Sequence, residues 1–419
     1  MILVYGKGKT GKGIENLLKK LAINYIIVDD KDFDTGMLKN TDIIVVSPGI
    51  PFSHKIYRIG KIKKIPVVGE IEFSYRFFKG YIIAVTGTDG KSTTSKLIHH
   101  ILGEDKSEIG GNYGIPFSEI VLRGKDTVVL ELSSFQIYST KRFRPNIAIF
   151  LNFYPDHLDW HKKILHYKLS KYRLFKNMKE TDIAVLNFDD KVVRETPKRG
   201  KKYYFSLSKL PRDLEGIYYN GSEVILKLGD RSLNFDLSNI SLKGVHNVQN
   251  IMASILATYI YGIDPDTIQE RVNSFKPLPH RMEYVDTING IDFYNDSKAT
   301  TVQAVKKAIQ SFKGKKVLLI TGGINKGGNF SDLKDEISES VKKIFIIGKD
   351  RENIYMVLKN YAETETFENL EDAVNRAFQR AEKGDVILLS PGCSSFDMFK
   401  NYQERGEVFK SIVRKLKDG

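Results

Sequence analysis

Residues 81–94 read YIIAVTGTDGKSTT: an apolar run, a glycine-rich turn, then Lys91, Ser92 and Thr93. Residues of these types at this spacing make a phosphate cradle. Backbone N–H groups converge where a strand turns into a helix, the helix dipole favours an anion, lysine adds a charge and serine can reach Mg²⁺. The general pattern G-x-x-x-x-G-K-[ST] would put its first glycine at position 85. That residue is Val85, and Gly87 follows two places later. The loop Gly87-Thr88-Asp89-Gly90-Lys91-Ser92-Thr93 is therefore a variant P-loop.

Other polar groups gather at predicted strand ends. Glu131 closes the run TVVLE. A carboxylate there is a common Mg²⁺ ligand beside a P-loop, and is equally an ordinary strand-terminal glutamate. Asp156, His157, Asp159 and His161 fall within six residues. Their types suit a metal or catalytic loop, and His157 alone reads as a general base or a loop histidine. Lys171 stands in KLSKYRLF and is unremarkable in a lysine-rich chain. Asn250 belongs to HNVQN, which opens a helix where asparagine is often a cap. Arg281, Asp296 and Lys298 follow further on, with Lys326 in TGGINKGG and Ser395 and Phe396 in SPGCSSFD.

Alternating strand and helix signals must position these groups, which predicts an α/β chain in three units: 1–79, 80–278 and 279–419. In the first, Ile2–Tyr5, Tyr25–Val28 and Asp42–Val46 read as parallel strands. The turn Gly6-Lys7-Gly8-Lys9-Thr10-Gly11, with Asp29 downstream, fits a dinucleotide spacing. It fits other nucleotide folds too, and a purely structural turn. The second unit continues from the P-loop through strands at Thr127–Leu132, Asn146–Leu151 and Asp182–Leu186. Residues 201–243 are rich in Tyr and Phe and broken by Asn220-Gly221 and Gly229-Asp230, which predicts a small antiparallel patch. Pro277-Leu278-Pro279 is a plausible hinge into a third unit with strands at Lys316–Thr321, Lys343–Ile347, Glu363–Phe367 and Asp385–Ser390. Several polar loops at the carboxyl ends of strands in all three units suggest one site built between domains.

The 419 residues carry 65 Lys+Arg against 51 Asp+Glu, a net charge of +14. No dense arginine-rich segment and no interleaved aromatic–basic motif marks a nucleic-acid surface, so no nucleic-acid partner is expected. The charge instead fits a solvated lysine-rich surface and anionic substrates drawn to basic clefts. No apolar run suits a membrane span and MILVYGKGKTG is no signal peptide. The single cysteine, Cys393, rules out an intramolecular disulfide and a cysteine zinc cluster, so a reducing cytoplasm is the expected setting.

The ordered set TGTDGKST, GGNYG, ELSSFQ, NFYPDHLDWH, GVHNVQN, LPHRME, NDSKAT, TGGINKG and LSPGCSSFDMFKNYQERG spans the chain. It resembles the Mur ligases of bacterial cell-wall synthesis, and the last segment with the short first unit points to their D-glutamate-adding member. The P-loop, LPHRME and NDSKAT segments are shared more widely, including with folylpolyglutamate synthetases. The resemblance implies a Rossmann-like UDP-binding domain, a central P-loop ATPase-type domain and a C-terminal Rossmann-like domain. It implies that D-glutamate is joined to UDP-N-acetylmuramoyl-L-alanine at the expense of ATP, through an acyl phosphate, by a monomer.

On the same resemblance, the loop Gly87–Thr93 with Asn250, Arg281 and Asp296 would contact ATP, and Lys91 would hold the β/γ-phosphates. Ser92 and Glu131 would share one Mg²⁺, and His157 a second. Lys171 matches the position that becomes a carbamate with CO₂, an anion suited to bridge metals. Lys9, Thr10, Asp29, Asp30, Lys31, Ser47 and Asn112 would bind the UDP-muramoyl substrate. Lys298, Thr300, Lys326, Ser395, Phe396 and Tyr402 would line the D-glutamate site. The chain departs from the pattern at Asp29-Asp30-Lys31, where an acid-hydroxyl-Arg run is typical, and lysine cannot fork to phosphate as arginine does. It departs again at Gly392, Ser394 and Tyr402. The alternatives are a sibling ligase for another amino acid, a folylpolyglutamate-type ligase, or a nucleotide-binding module without catalysis.

Overall fold

The computed structural model describes residues 1–156, 158–196, 199–242, 244–276, 278–312 and 314–418. It forms two compact units, Met1–Ser241 with His246–Phe275, and Leu242–Val245 with Lys276–Gly419. Pro277 of the expected hinge lies outside the described residues.

The first unit contains two sheets. The smaller is parallel throughout, in the order Tyr25–Val28, Ile2–Tyr5, Ile43–Val46, Val67–Gly69. Its strands are continuous apolar runs because both faces are covered. Leu3 and Tyr5 pack with Val28, Ile44 and Ile56 on one face, and Val4 packs with Ile14, Leu17 and Val68 on the other. The helix Lys9–Lys20 begins at the glycine-rich turn. Gly11 is required there by close approach: a Cβ would lie 1.8 Å from the Gly6 carbonyl oxygen. Gly8 has open space around it.

The larger sheet has nine strands, in the order Arg231–Asp236, Glu223–Leu228, Gly216–Tyr219, Lys201–Ser206, Ile183–Asn187, Ile147–Phe150, Tyr81–Thr86, Thr127–Glu131, Ser107–Gly111. The expected antiparallel patch is an extension of this sheet, and its first strand differs from expectation. Lys201–Ser206 runs parallel to both Ile183–Asn187 and Gly216–Tyr219, and only the last two pairings are antiparallel. Side-chain alternation is the same in either direction. The connection decides: segment 207–215 is no tight hairpin turn, and it carries the chain back for a parallel pairing. The turns at Asn220-Gly221 and Gly229-Asp230 sit where expected, with both glycines at positive φ.

Two buried glutamates join the sheets. The Glu70 carboxyl accepts from the Ser118 backbone N–H at 2.6 Å and from Ser74 Oγ at 3.2 Å. The Glu72 carboxylate accepts from three successive backbone N–H groups, those of Lys141, Arg142 and Phe143, at 2.8 to 2.9 Å. Burial of an acid is tolerated only with such partners.

The second unit has one six-stranded sheet, in the order Glu283–Ile288, Ile291–Asn295, Val386–Leu389, Val317–Gly322, Val341–Ile347, Glu363–Thr366. All pairings are parallel except the first hairpin. That hairpin turns at Asn289 and Gly290, both at positive φ, a two-residue turn whose Asn-Gly signal is readable in the sequence. The last helix is Tyr402–Asp418.

Candidate active site

Three neighbouring strands deliver the central cluster from their carboxyl ends. Tyr81–Thr86 leads into the P-loop, Thr127–Glu131 ends on Glu131, and Ile147–Phe150 leads to Asn152. Gly90, at φ +79, caps the helix Lys91–Leu102, and a Cβ there would lie 2.3 Å from Asn250 Oδ1. Asn250 is buried beneath the loop, accepting from Thr94 Oγ1 at 3.3 Å and donating to Asn247 Oδ1 at 3.1 Å.

Ser92 Oγ donates to Glu131 Oε2 at 2.5 Å, and Asn112 Nδ2 donates to Glu131 Oε1 at 2.7 Å. The Glu131 side chain is thus fixed from both oxygens. Lys91 Nζ donates to the carbonyls of Gly87 and Thr88 at 3.0 and 2.7 Å. Lys171, in the last turn of the helix Ile164–Tyr172, is 1% exposed and donates to the same Gly87 carbonyl at 2.7 Å. Its Nζ lies 4.7 Å from the Tyr167 ring centre. Burial pushes the Lys171 ammonium well below its usual range, and the nearby Lys91 charge pushes in the same direction. The loop thus holds a buried amine biased toward its neutral, nucleophilic form.

Two residues that sequence reasoning missed hold the loop in shape. Asn152 Oδ1 accepts from the backbone N–H groups of Thr88 and Asp89 at 3.0 and 2.9 Å. Tyr167 OH meets Thr88 Oγ1 at 3.2 Å. Asn152 heads the run that the sequence marks for its acids and histidines, but nothing local distinguishes it. Within that run His161 is buried, with Nε2 2.9 Å from Ser134 Oγ and its ring stacked on Phe135. His157 lies outside the described residues.

The groups expected to hold UDP surround the first glycine-rich turn. Lys9 and Thr10 open the first helix, and Lys9 Nζ donates to the Gly114 carbonyl. Ser47 Oγ lies 3.4 Å from the Gly6 carbonyl oxygen. Asp29 accepts from the Lys31 N–H at 2.9 Å, and Lys31 is exposed. The Asp30 carboxylate is engaged by Tyr5 OH at 2.8 Å and His54 Nε2 at 2.9 Å. His54 Nδ1 accepts the Ile56 N–H at 3.2 Å, so Nε2 carries the proton toward Asp30. Those two hydrogen bonds, Tyr5 first, hold the Asp30 carboxyl below its usual range. Asn112 sits with Glu131 rather than with this group.

In the second unit, Asp296 follows Ile291–Asn295. Its Oδ1 accepts from the Met282 N–H at 3.2 Å and its Oδ2 from Ser390 Oγ at 3.0 Å. Arg281 lies between His280 and Met282, both at positive φ. Non-glycine residues take that conformation only when their surroundings impose it. The last helix packs closely on His280, where a Cβ on Gly406 would lie 2.1 Å from His280 Nδ1, and Asp296 holds the Met282 N–H. Lys298 Nζ stands 4.0 Å from the Tyr402 ring centre, a cation–π pair. Thr300 is half-buried, Ser395 is buried, and Lys326 and Phe396 are exposed on their loops.

Arg405, also missed, ties these segments together. It is 1% exposed, its Nε donates to Ser297 Oγ at 2.9 Å, and one terminal nitrogen donates to the carbonyls of Ser297 and Cys393 at 2.8 and 3.2 Å. Burial lowers its guanidinium to about 10.

Residues 85–258 match the Mur ligase middle domain, and residues 280–393 match the Mur ligase glutamate ligase domain. A UDP-N-acetylmuramoylalanine–D-glutamate ligase of Aquifex aeolicus is 42% identical over 417 residues, covering 98% of each chain. The ligase of that name from Hydrogenobaculum is 43% identical, covering 99% of this chain and 98% of its own. Two solved structures share the fold at low identity. A pseudomurein peptide ligase type C from Methanothermus fervidus has a TM-score of 0.67 at 18% identity, covering 99% of each chain. A MurF ligase from Thermotoga maritima in complex with ADP has 0.65 at 20%, covering 99% of this chain and 95% of its own. Matches of this extent along the whole sequence mean that the chain belongs to the Mur ligase family.

Proposed function

We propose that this chain is an ATP-dependent amide ligase that adds D-glutamate to UDP-N-acetylmuramoyl-L-alanine in peptidoglycan precursor synthesis. The observation that carries the reading is the Ser92–Glu131–Asn112 cluster beside a P-loop whose Gly87 carbonyl is shared by Lys91 and Lys171. A carboxylate at neutral pH is a poor electrophile and must be activated. The alanine carboxylate oxygen attacks the γ-phosphorus, the bond to the β-phosphate oxygen breaks, and ADP leaves. The D-glutamate amine then attacks the acyl carbon, loses a proton, and inorganic phosphate departs. Positioning and charge neutralisation carry such a transfer.

Lys91 swings from the loop carbonyls to the β/γ-phosphates, and the loop N–H groups between Gly87 and Thr93 cradle them. Ser92 Oγ and Glu131 Oε2 are hard oxygen donors that suit Mg²⁺, an ion that takes few protein ligands beside substrate phosphates. Bound there, the ion would neutralise phosphate charge. The neutral Lys171 amine can add to CO₂ and lose a proton to give a carbamate anion, and His157 with that carbamate would hold a second Mg²⁺. Asn250 and, in the second unit, Arg281 and Asp296 would contact ATP, and Asn112 would bind the muramoyl substrate or its acyl phosphate. Lys298, Thr300, Lys326, Ser395, Phe396 and Tyr402 receive D-glutamate, and Lys9, Thr10, Asp29, Asp30, Lys31 and Ser47 receive UDP. The functional division falls at 1–79, 80–278 and 279–419, and the protein acts as a cytoplasmic monomer.

Coupled ADP-release assays test the reading. Release should require both UDP-N-acetylmuramoyl-L-alanine and D-glutamate, and a panel of D- and L-amino acids should single out D-glutamate. Equal turnover without the muramoyl substrate, or with another amino acid preferred, overturns it.

A further inference from the structure

A cavity of about 530 Å³ beside the helix Ile164–Tyr172 is lined by none of the residues given a role above. Its size falls in the range of small-molecule sites. Tyr138, Leu169 and Phe175 supply apolar walls, Arg173, Lys176 and Arg199 supply cations, and among the described residues no acidic one lines it. Leu169 remains 50% exposed, an apolar side chain left without cover.

Arg173 is already fixed in place. One terminal nitrogen donates to the Thr140 carbonyl at 2.8 Å, and the guanidinium lies 5.5 Å from the Tyr138 ring centre. A neutral hydrophobe would cover the walls and leave the three cations without a counter-charge. A bare inorganic anion would meet the cations and leave the walls wet.

We propose that this cavity is a binding site for a small organic anion, with its acidic head on Arg173, Lys176 and Arg199 and an aromatic or branched aliphatic body against Tyr138, Leu169 and Phe175. The test uses the full chain with Mg²⁺ and a non-hydrolysable ATP analogue to fill the nucleotide site, and 8-anilino-1-naphthalenesulfonate as the fluorescent probe. One probe should bind saturably per chain. The affinity should fall at least about tenfold in Arg173→Gln, and equally in Leu169→Trp, which fills the cavity from an exposed position and leaves the fold intact. N-phenyl-1-naphthylamine, the same body without the sulfonate, should bind at least about tenfold more weakly. Excess inorganic phosphate should not displace the probe. Undiminished binding to Leu169→Trp, equal binding of the neutral amine, displacement by phosphate, or no saturable binding would each overturn the proposal.

Discussion

Lys171 shows how one residue's environment decides its chemistry. A lysine ammonium buried at 1% exposure beside a second lysine is disfavoured, so its folded-state pKa lies below the unfolded value. The unfolded chain then binds more protons. This residue's contribution to stability therefore rises as pH climbs from the depressed folded value toward 10.5, and is at its poorest below that window. A group retained at such a cost is expected to serve chemistry. Lys171→Met should lower turnover at least about a hundredfold, yet melt within about 2 °C of the parent at pH 7, because an apolar chain of similar length replaces an awkward cation. Melting by calorimetry beside an ADP-release assay separates the two. A drop beyond about 5 °C would assign Lys171 to scaffolding.

Elements set what single residues can do. Gly90 joins a loop to a helix at φ +79, with Asn250 filling the space a side chain would need. Gly90→Ala should therefore raise the KM for ATP at least about tenfold, about 1.4 kcal/mol of lost binding, while far-UV circular dichroism stays the same. Unchanged KM would show that the loop can give way at Asn250. The Glu70–Tyr75 helix is held to the helix Phe117–Arg123 through a buried carboxyl that burial raises above 4.5. A raised acid favours folding below its unfolded pKa, and that advantage is lost as pH rises through the folded value. Glu70→Gln should then melt about 2–4 °C higher than the parent at pH 8 and about the same at pH 4.5. Equal loss at both pH values would mean that the Ser118 N–H needs a carboxylate. The sequence shows such elements unevenly. The P-loop, Glu131 and the parallel core are legible because glycine spacing and apolar runs are local patterns. The burial of Lys171 and the grip of Asn152 on the P-loop are not, since both arise when strands far apart in sequence meet. Arg405 reads as one more surface cation of the last helix, and only the packing of NDSKAT against the cysteine loop reveals it as internal. The Asn289-Gly290 hairpin was legible in principle, but its strands alternate weakly and carry charge.

At the scale of the whole molecule, a surplus of 14 positive charges admits two explanations that make different demands on salt. A lysine-rich solvated surface affects solubility alone. A field that gathers ATP and a UDP-linked substrate, both polyanions, raises their encounter rate and weakens as the Debye length shrinks from about 30 Å at 0.01 M salt to about 8 Å at 0.15 M. The placement of basic groups favours the second. Lys7 and Lys9 stand at the glycine-rich turn, Lys91 in the P-loop, and Lys298 with Lys326 on the loops of the second unit. Steering acts before chemistry, so it should appear in KM and kcat/KM and leave kcat alone. Raising NaCl from about 0.01 M to about 0.15 M is expected to increase the KM for the UDP-muramoyl substrate several-fold, with kcat steady within about twofold. A KM indifferent to salt would return the charge to the solvated surface, and a falling kcat would point to salt acting on bound phosphates in the P-loop.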